Sequence, residues 1–163
     1  MSGQLRIKRI EIYKADIPFH EPFKIAIMEI TCAQSIFIKI ITDKGIYGMG
    51  EANSYWGITG ETQSINIAAA ADLAKLLIGK DPLNIEERTR EMNKYLAYNS
   101  TIRSAFDIAL YDIAGKTAGL PLYALLGGGK RSFWTDNTIG LGDPEAVAKK
   151  AVDYMNQGFK AIK

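Results

Sequence analysis

The chain has 163 residues, 47% hydrophobic and 23% charged, which is the make-up of a globular protein with room for one domain and a piece of another. Twenty basic residues against eighteen acidic ones leave a net charge of +2 with no basic stripe, which argues against nucleic acid or an anionic membrane as partner. One cysteine, Cys32, rules out an internal disulfide and fits a reducing compartment; with no signal-like apolar run and no stretch near the roughly 20 apolar residues of a membrane span, a soluble cytoplasmic protein is expected.

Partial alternation of Ile7, Ile10 and Ile12 predicts a strand over 5–17. Strands over 34–42 and 46–51 flank Asp43-Lys44-Gly45, where glycine can take the positive φ of a tight hairpin. The three make an antiparallel meander. A loop is expected near 18–30, around Pro18 and Pro22, and a second, glycine-rich loop over 51–61. The pattern then turns helical. Ile65, Ala68, Ala69, Leu73, Leu76 and Leu77 keep the 3.6-residue period, with Gly79 as the stop. Asn84 and Glu87 have capping-box spacing and open a helix to about Tyr95. Ile102, Ala105, Phe106, Ala109, Leu110 and Ile113 form the apolar face of a third helix, whose polar side offers Arg103–Asp107 and Asp112–Lys116 pairs at i,i+4. Gly119 and Pro121 end it.

The run Leu125-Leu126-Gly127-Gly128-Gly129 marks a domain boundary. Beyond it, Thr138–Leu141 reads as a short buried strand, and Asp143 caps a helix that has Pro144 at its first position. Gly158 stops that helix, and Phe159–Lys163 starts another strand. Strand, helix and strand with short links imply parallel pairing through a right-handed crossover. This is one β-α-β turn of a barrel, so the expectation is the front part of a larger enzyme.

Three chemical motifs fail on inspection. ALLGGGKRS has Ala124 and Arg131 where a phosphate loop needs Gly and Ser or Thr. Gly48-Met49-Gly50 and Gly140-Leu141-Gly142 each lack the third glycine of a dinucleotide fingerprint. The one histidine, His20, has no partner at metal-ligand spacing and supports no Ser-His-Asp arrangement.

The order meander, helices, Ser104–Gly128 (SAFDIALYDIAGKTAGLPLYALLGG) and barrel start resembles the enolase superfamily along the whole chain, and within it the muconate lactonizing enzyme subgroup. The resemblance implies an α+β capping domain over 1–128, followed by the first β-α-β segment, 129–163, of a TIM-type (β/α) barrel. It implies two substrate loops, at about 18–30 and 51–61. Three details are similar to dipeptide epimerases: GITGET (Gly57–Thr62), Thr135–Ile139 with Thr138 near substrate, and GFKAIK (Gly158–Lys163), which resembles the start of a Lys-x-Lys motif with Lys163 as its first lysine. The implied partner is a small-molecule dipeptide, and the implied assembly a homo-oligomer. The implied cofactor is Mg2+, with its carboxylate ligands, like the opposing lysine, outside this chain.

The implied chemistry explains the spacing. Epimerisation removes a weakly acidic proton α to a carboxylate-level carbonyl and returns it on the other face. Lysines at i and i+2 of a strand point the same way. One serves as base while the other keeps positive charge beside the carboxylate and lowers its neighbour's pKa. The sequence departs from Ala-Glu epimerases at Met28, which falls where they have an arginine. A flexible apolar side chain cannot form a bidentate carboxylate pair, so a dipeptide with an apolar second residue is expected. Tyr55, Trp56 and Ile58 are the candidate contacts of the second loop. Other readings are a cycloisomerase, an N-acylamino-acid racemase or an o-succinylbenzoate synthase of the same superfamily, and a non-catalytic capping module.

Overall fold

The computed structural model describes residues 4–163. Strands β1 (Ile7–Ile25), β2 (Met28–Thr42) and β3 (Tyr47–Asn53) form one sheet in the order β1-β2-β3. Helices α1 (Trp56–Thr59), α2 (Gln63–Leu77), α3 (Ile85–Tyr95), α4 (Ser100–Ala118) and α5 (Leu122–Leu125) follow. The chain closes with β4 (Asp136–Asn137), α6 (Pro144–Asn156) and β5 (Ala161–Ile162). Contacts divide it into two compact units, one of residues 4–16 and 34–129, the other of residues 17–33 and 130–163.

The first unit is an α+β layer. Alternation along β2 sends Ile36, Ile38 and Ile40 inward, all fully buried. Their antiparallel partners on β3 are Ala52, Gly50 and Gly48. The inward face of β3 is therefore nearly bare backbone, and α4 lies directly on it. A Cβ on Gly48 would stand 2.0 Å from Ala109 O, and one on Gly50 would stand 1.9 Å from Ala105 O. The incomplete fingerprint at 48–50 is explained by this close approach, which only glycine permits. The six apolar residues expected on one face of α4 are all at 0% exposure. Ala70, Leu73 and Leu77 of α2 and Met92 of α3 complete the core. A buried Ile or Phe contributes on the order of 1.5–3 kcal/mol, so this layer is the main source of stability.

The polar side of α4 holds the sheet edge. Asp112 Oδ2 accepts from the Met49 N–H (2.9 Å), and Lys116 Nζ donates to Tyr47 O (2.8 Å) and to Asp112 (2.7 Å). The expected Arg103–Asp107 pair does not form. Asp107 instead accepts from Thr89 Oγ1 on α3, and Arg103 donates to Ala97 O. The capping box at Asn84 is also absent: the Asn84 side chain makes no cap hydrogen bond, and Glu87 is drawn to Arg90 one turn on. Thr62, by contrast, caps α2 by accepting from the Ile65 N–H (3.2 Å).

In the second unit, the segment expected as a loop near 18–30 is a β-hairpin. β1 runs on to Ile25, Ala26-Ile27 make a two-residue turn, and β2 begins at Met28. Pro18 and Pro22 are compatible with strand because β1 is the outer strand, where a missing N–H breaks no ladder. The expected buried strand at Thr138–Leu141 is corrected too. The assigned strand is Asp136–Asn137, parallel to Ala161–Ile162, and Thr138 and Leu141 are exposed. Leu141 leaves the ladder because its N–H donates to Lys24 O of the hairpin (2.8 Å). Asp143 caps α6 through the Glu145 and Ala146 N–H groups, as expected.

Gly50→Ala is expected to cost about 3 kcal/mol or more, because backbone rather than a side-chain tip blocks the methyl. Gly129→Ala, with nothing within 4 Å, should stay within about 0.5 kcal/mol. Urea unfolding of the two variants against the parent chain checks both values.

Candidate functional site

The parallel ladder of the second unit does not end at Ile162. Lys163 N–H donates to Asn137 O (2.9 Å), and Ile139 N–H donates to Lys163 O (2.9 Å). Those two bonds make Thr138 and Lys163 register partners, continuing Asp136↔Ala161 and Asn137↔Ile162. Register partners on adjacent strands share a face. Thr138 and Lys163 therefore stand side by side, with Asp136 and Ala161 one step back on the same face. All four are exposed. Asn137, Ile139 and Ile162, on the other face, are half-buried, and α6 packs against β5. The structure thus brings two of the sequence-predicted residues together on the solvent-facing side of a strand pair.

Met28 is the first residue of β2, half-buried beside the hairpin turn. The hairpin is seated on the segment after β4. Besides the Lys24–Leu141 bond, a Cβ on Gly140 would meet Lys24 N at 3.0 Å, so the strand backbone rests against that glycine. Glu21 forms an ion pair with Lys150 of α6, whose ammonium also lies over the Tyr154 ring. The Glu21 carboxylate raises the Lys150 pKa above its ordinary value. Sequence reasoning missed this seating, because Glu21 and Lys150 are 129 residues apart and share no local pattern.

Tyr55, Trp56 and Ile58 belong to the first unit. Tyr55 precedes the single-turn helix α1 and is half-buried, with its hydroxyl turned away from solvent. Trp56 and Ile58 are 58% and 78% exposed. The turn is held by its own bonds: Tyr55 O accepts from the Ile58 and Thr59 N–H groups and from Thr59 Oγ1. The second substrate loop of the resemblance is therefore a small, ordered helical knuckle that presents two large apolar side chains.

Among the described residues, no three His, Cys, Asp or Glu side chains gather closely enough to hold a metal ion. The residues present do not fit the implied Mg2+, and no step is routed through it. A groove of about 500 Å3 lined by Met49, Ile108, Tyr111, Gly115 and Leu120 includes none of the predicted residues. No helix among the described residues is long and apolar enough to cross a membrane.

Residues 8–127 match the family model for the mandelate racemase / muconate lactonizing enzyme N-terminal domain. The chain belongs to this family. Its sheet and helices are the N-terminal capping domain of enolase-superfamily structures. It is 40% identical over 158 residues to a D-Ala-D/L-Ala epimerase of Cytophaga hutchinsonii, covering 96% of this chain and 43% of that protein. A hydrophobic dipeptide epimerase of Enterococcus faecalis is 36% identical, covering 98% of this chain and 45% of its own length. The crystal structure of the Cytophaga hutchinsonii dipeptide epimerase with Mg and D-Ala-L-Val superimposes with a TM-score of 0.93 at 39% identity, over 96% of this chain and 43% of that one. The chain thus spans less than half the length of the relatives it matches.

Lys150→Met should loosen the hairpin tip without unfolding the chain, since an exposed ion pair is worth about 0.2–1 kcal/mol. Hydrogen exchange of the amides in 17–33 is expected to quicken a few-fold in the variant, and in the parent chain at high salt, while β2 amides of the first unit stay protected.

Proposed function

We propose that this chain is the N-terminal part of a Mg-dependent dipeptide epimerase that inverts one α-carbon by proton removal and return. The observation that carries the reading is the register of Thr138 with Lys163 on the face opposite the half-buried one. In a barrel built by adding further strands to this pair, the exposed face lines the interior, and Lys163 reaches the substrate from the C-terminal strand ends, where barrels hold their chemistry. Lys163 then supplies an ammonium, or receives a proton, beside the substrate's carboxylate-level oxygens, and Thr138 Oγ1 offers them a hydrogen bond. The metal's ligands belong to the part of the relatives' length that this chain does not span.

The substrate is proposed to carry an apolar second residue. Met28 has no charge to offer a second carboxylate, and Trp56 and Ile58 are apolar and exposed, with Tyr55 packed beside Trp56 at 6.2 Å between ring centroids. The Enterococcus faecalis relative, named for hydrophobic dipeptides, supports the same class. We place the domain boundary at 128/129, the protein in the cytoplasm, and the whole enzyme in a homo-oligomer.

In the whole enzyme, Lys163→Met should lower kcat by about 10²–10⁴-fold, with the capping domain still folded. Deuterium incorporation at the α-carbon of Ala-Leu and Ala-Glu measures both reaction and preference. A higher kcat/KM for Ala-Leu is expected, and a strong preference for Ala-Glu overturns the assignment of Met28. The 163-residue chain alone should exchange no α-protons, since a closed (β/α)8 barrel needs roughly 250 residues.

A further inference from the structure

Among the described residues, five of the eight buried side-chain atoms without a hydrogen-bond partner belong to the 54–66 segment. Glu61 is 5% exposed and Asn66 is at 0%. Glu61 Oε2 and both Asn66 amide atoms have no hydrogen-bond partner among the described residues, and neither do Ser54 Oγ and Tyr55 Oη of the preceding loop. A buried amide or carboxylate oxygen left unpaired costs about 1–3 kcal/mol, so such groups are nearly always satisfied.

Helix position puts the first two where side chains can face one another. Thr62 is the N-cap of α2, which makes Glu61 the residue before the cap and Asn66 the fourth residue of the helix. Side chains at those two positions pack against one another at helix starts, usually as an apolar pair. Here the pair is polar. The other carboxylate oxygen, Glu61 Oε1, already accepts from the Thr101 N–H (3.3 Å) and Ser100 Oγ (3.5 Å), at the start of α4. That end of α4 needs the help, because its N-cap, Asn99, is left-handed (φ 65°) and gives no side-chain cap.

We propose that Glu61 and Asn66 enclose an internal water site, and that this site ties the 54–62 loop to α2 and α4 together. Water matches the chemistry because it donates to Glu61 Oε2 and Asn66 Oδ1 and accepts from Asn66 Nδ2. The inference goes beyond the proposed reaction and stands on hydrogen-bond accounting alone.

A crystal structure of this chain at about 1.3 Å should show water density within about 2.7–3.2 Å of both Glu61 Oε2 and the Asn66 amide. A direct Glu61–Asn66 hydrogen bond, a dry contact or a cation at that point overturns the proposal. Glu61→Leu and Asn66→Leu, singly, should each speed exchange of the Ile58–Gly60 amides about tenfold or more, by leaving the other group unpaired. The double variant should exchange more slowly than the product of the single effects requires. Independent, multiplying effects overturn the shared site. The density test stands even where a variant fails to fold.

Discussion

The first unit depends on one steric constraint: α4 touches the backbone of β3 with no side chain between them. Gly48 and Gly50 make that approach possible, and the isoleucines opposite them on β2 fill the space to the side of the helix. The exchange of bulk between paired strands lets six apolar residues of α4 reach full burial. It also sets the helix so that Asp112 and Lys116 meet the open edge of β3. Elsewhere such a pair is a weak surface contact. Here each group also answers a backbone partner, which makes it part of the sheet.

Rigid packing in that unit frees its loops for other work. The knuckle at 56–59 exposes Trp56 and Ile58 while its backbone bonds are met locally, so apolar surface is offered without a floppy chain. In the second unit the hairpin tip leans on Gly140 and Lys150 through a backbone bond and an exposed ion pair. Contacts of that strength open readily.

What was legible in the sequence follows from what is local. The face of α4, the cap at Asp143 and the turn at Gly45 rest on spacing within a dozen or so residues, the parallel pairing of the last strands rests on the order strand, helix, strand, and all are present. The hairpin at 17–33 was hidden because prolines read as breakers unless the strand is known to lie at an edge. Asn84 shows the opposite error, a correct motif whose Glu87 found a stronger partner in Arg90. The neighbourhood of Thr138 and Lys163 was reached by resemblance, and its geometry rests on a register that no one-dimensional pattern encodes. The pairing of Glu21 with Lys150 left no trace at all, since it depends on how a distant hairpin is seated.

Each edge of the three-stranded sheet has some of its outward backbone groups already bonded. On β3, Asp112 and Lys116 occupy the outward backbone groups of Met49 and Tyr47. On β1, Ile7 exchanges bonds with Gly79 and Lys80, and two prolines follow farther along the strand. A further strand, whether from another copy or from a misfolded neighbour, would have to displace these bonds to pair there. Strand addition at Ile7, Tyr47 or Met49 is thereby disfavoured.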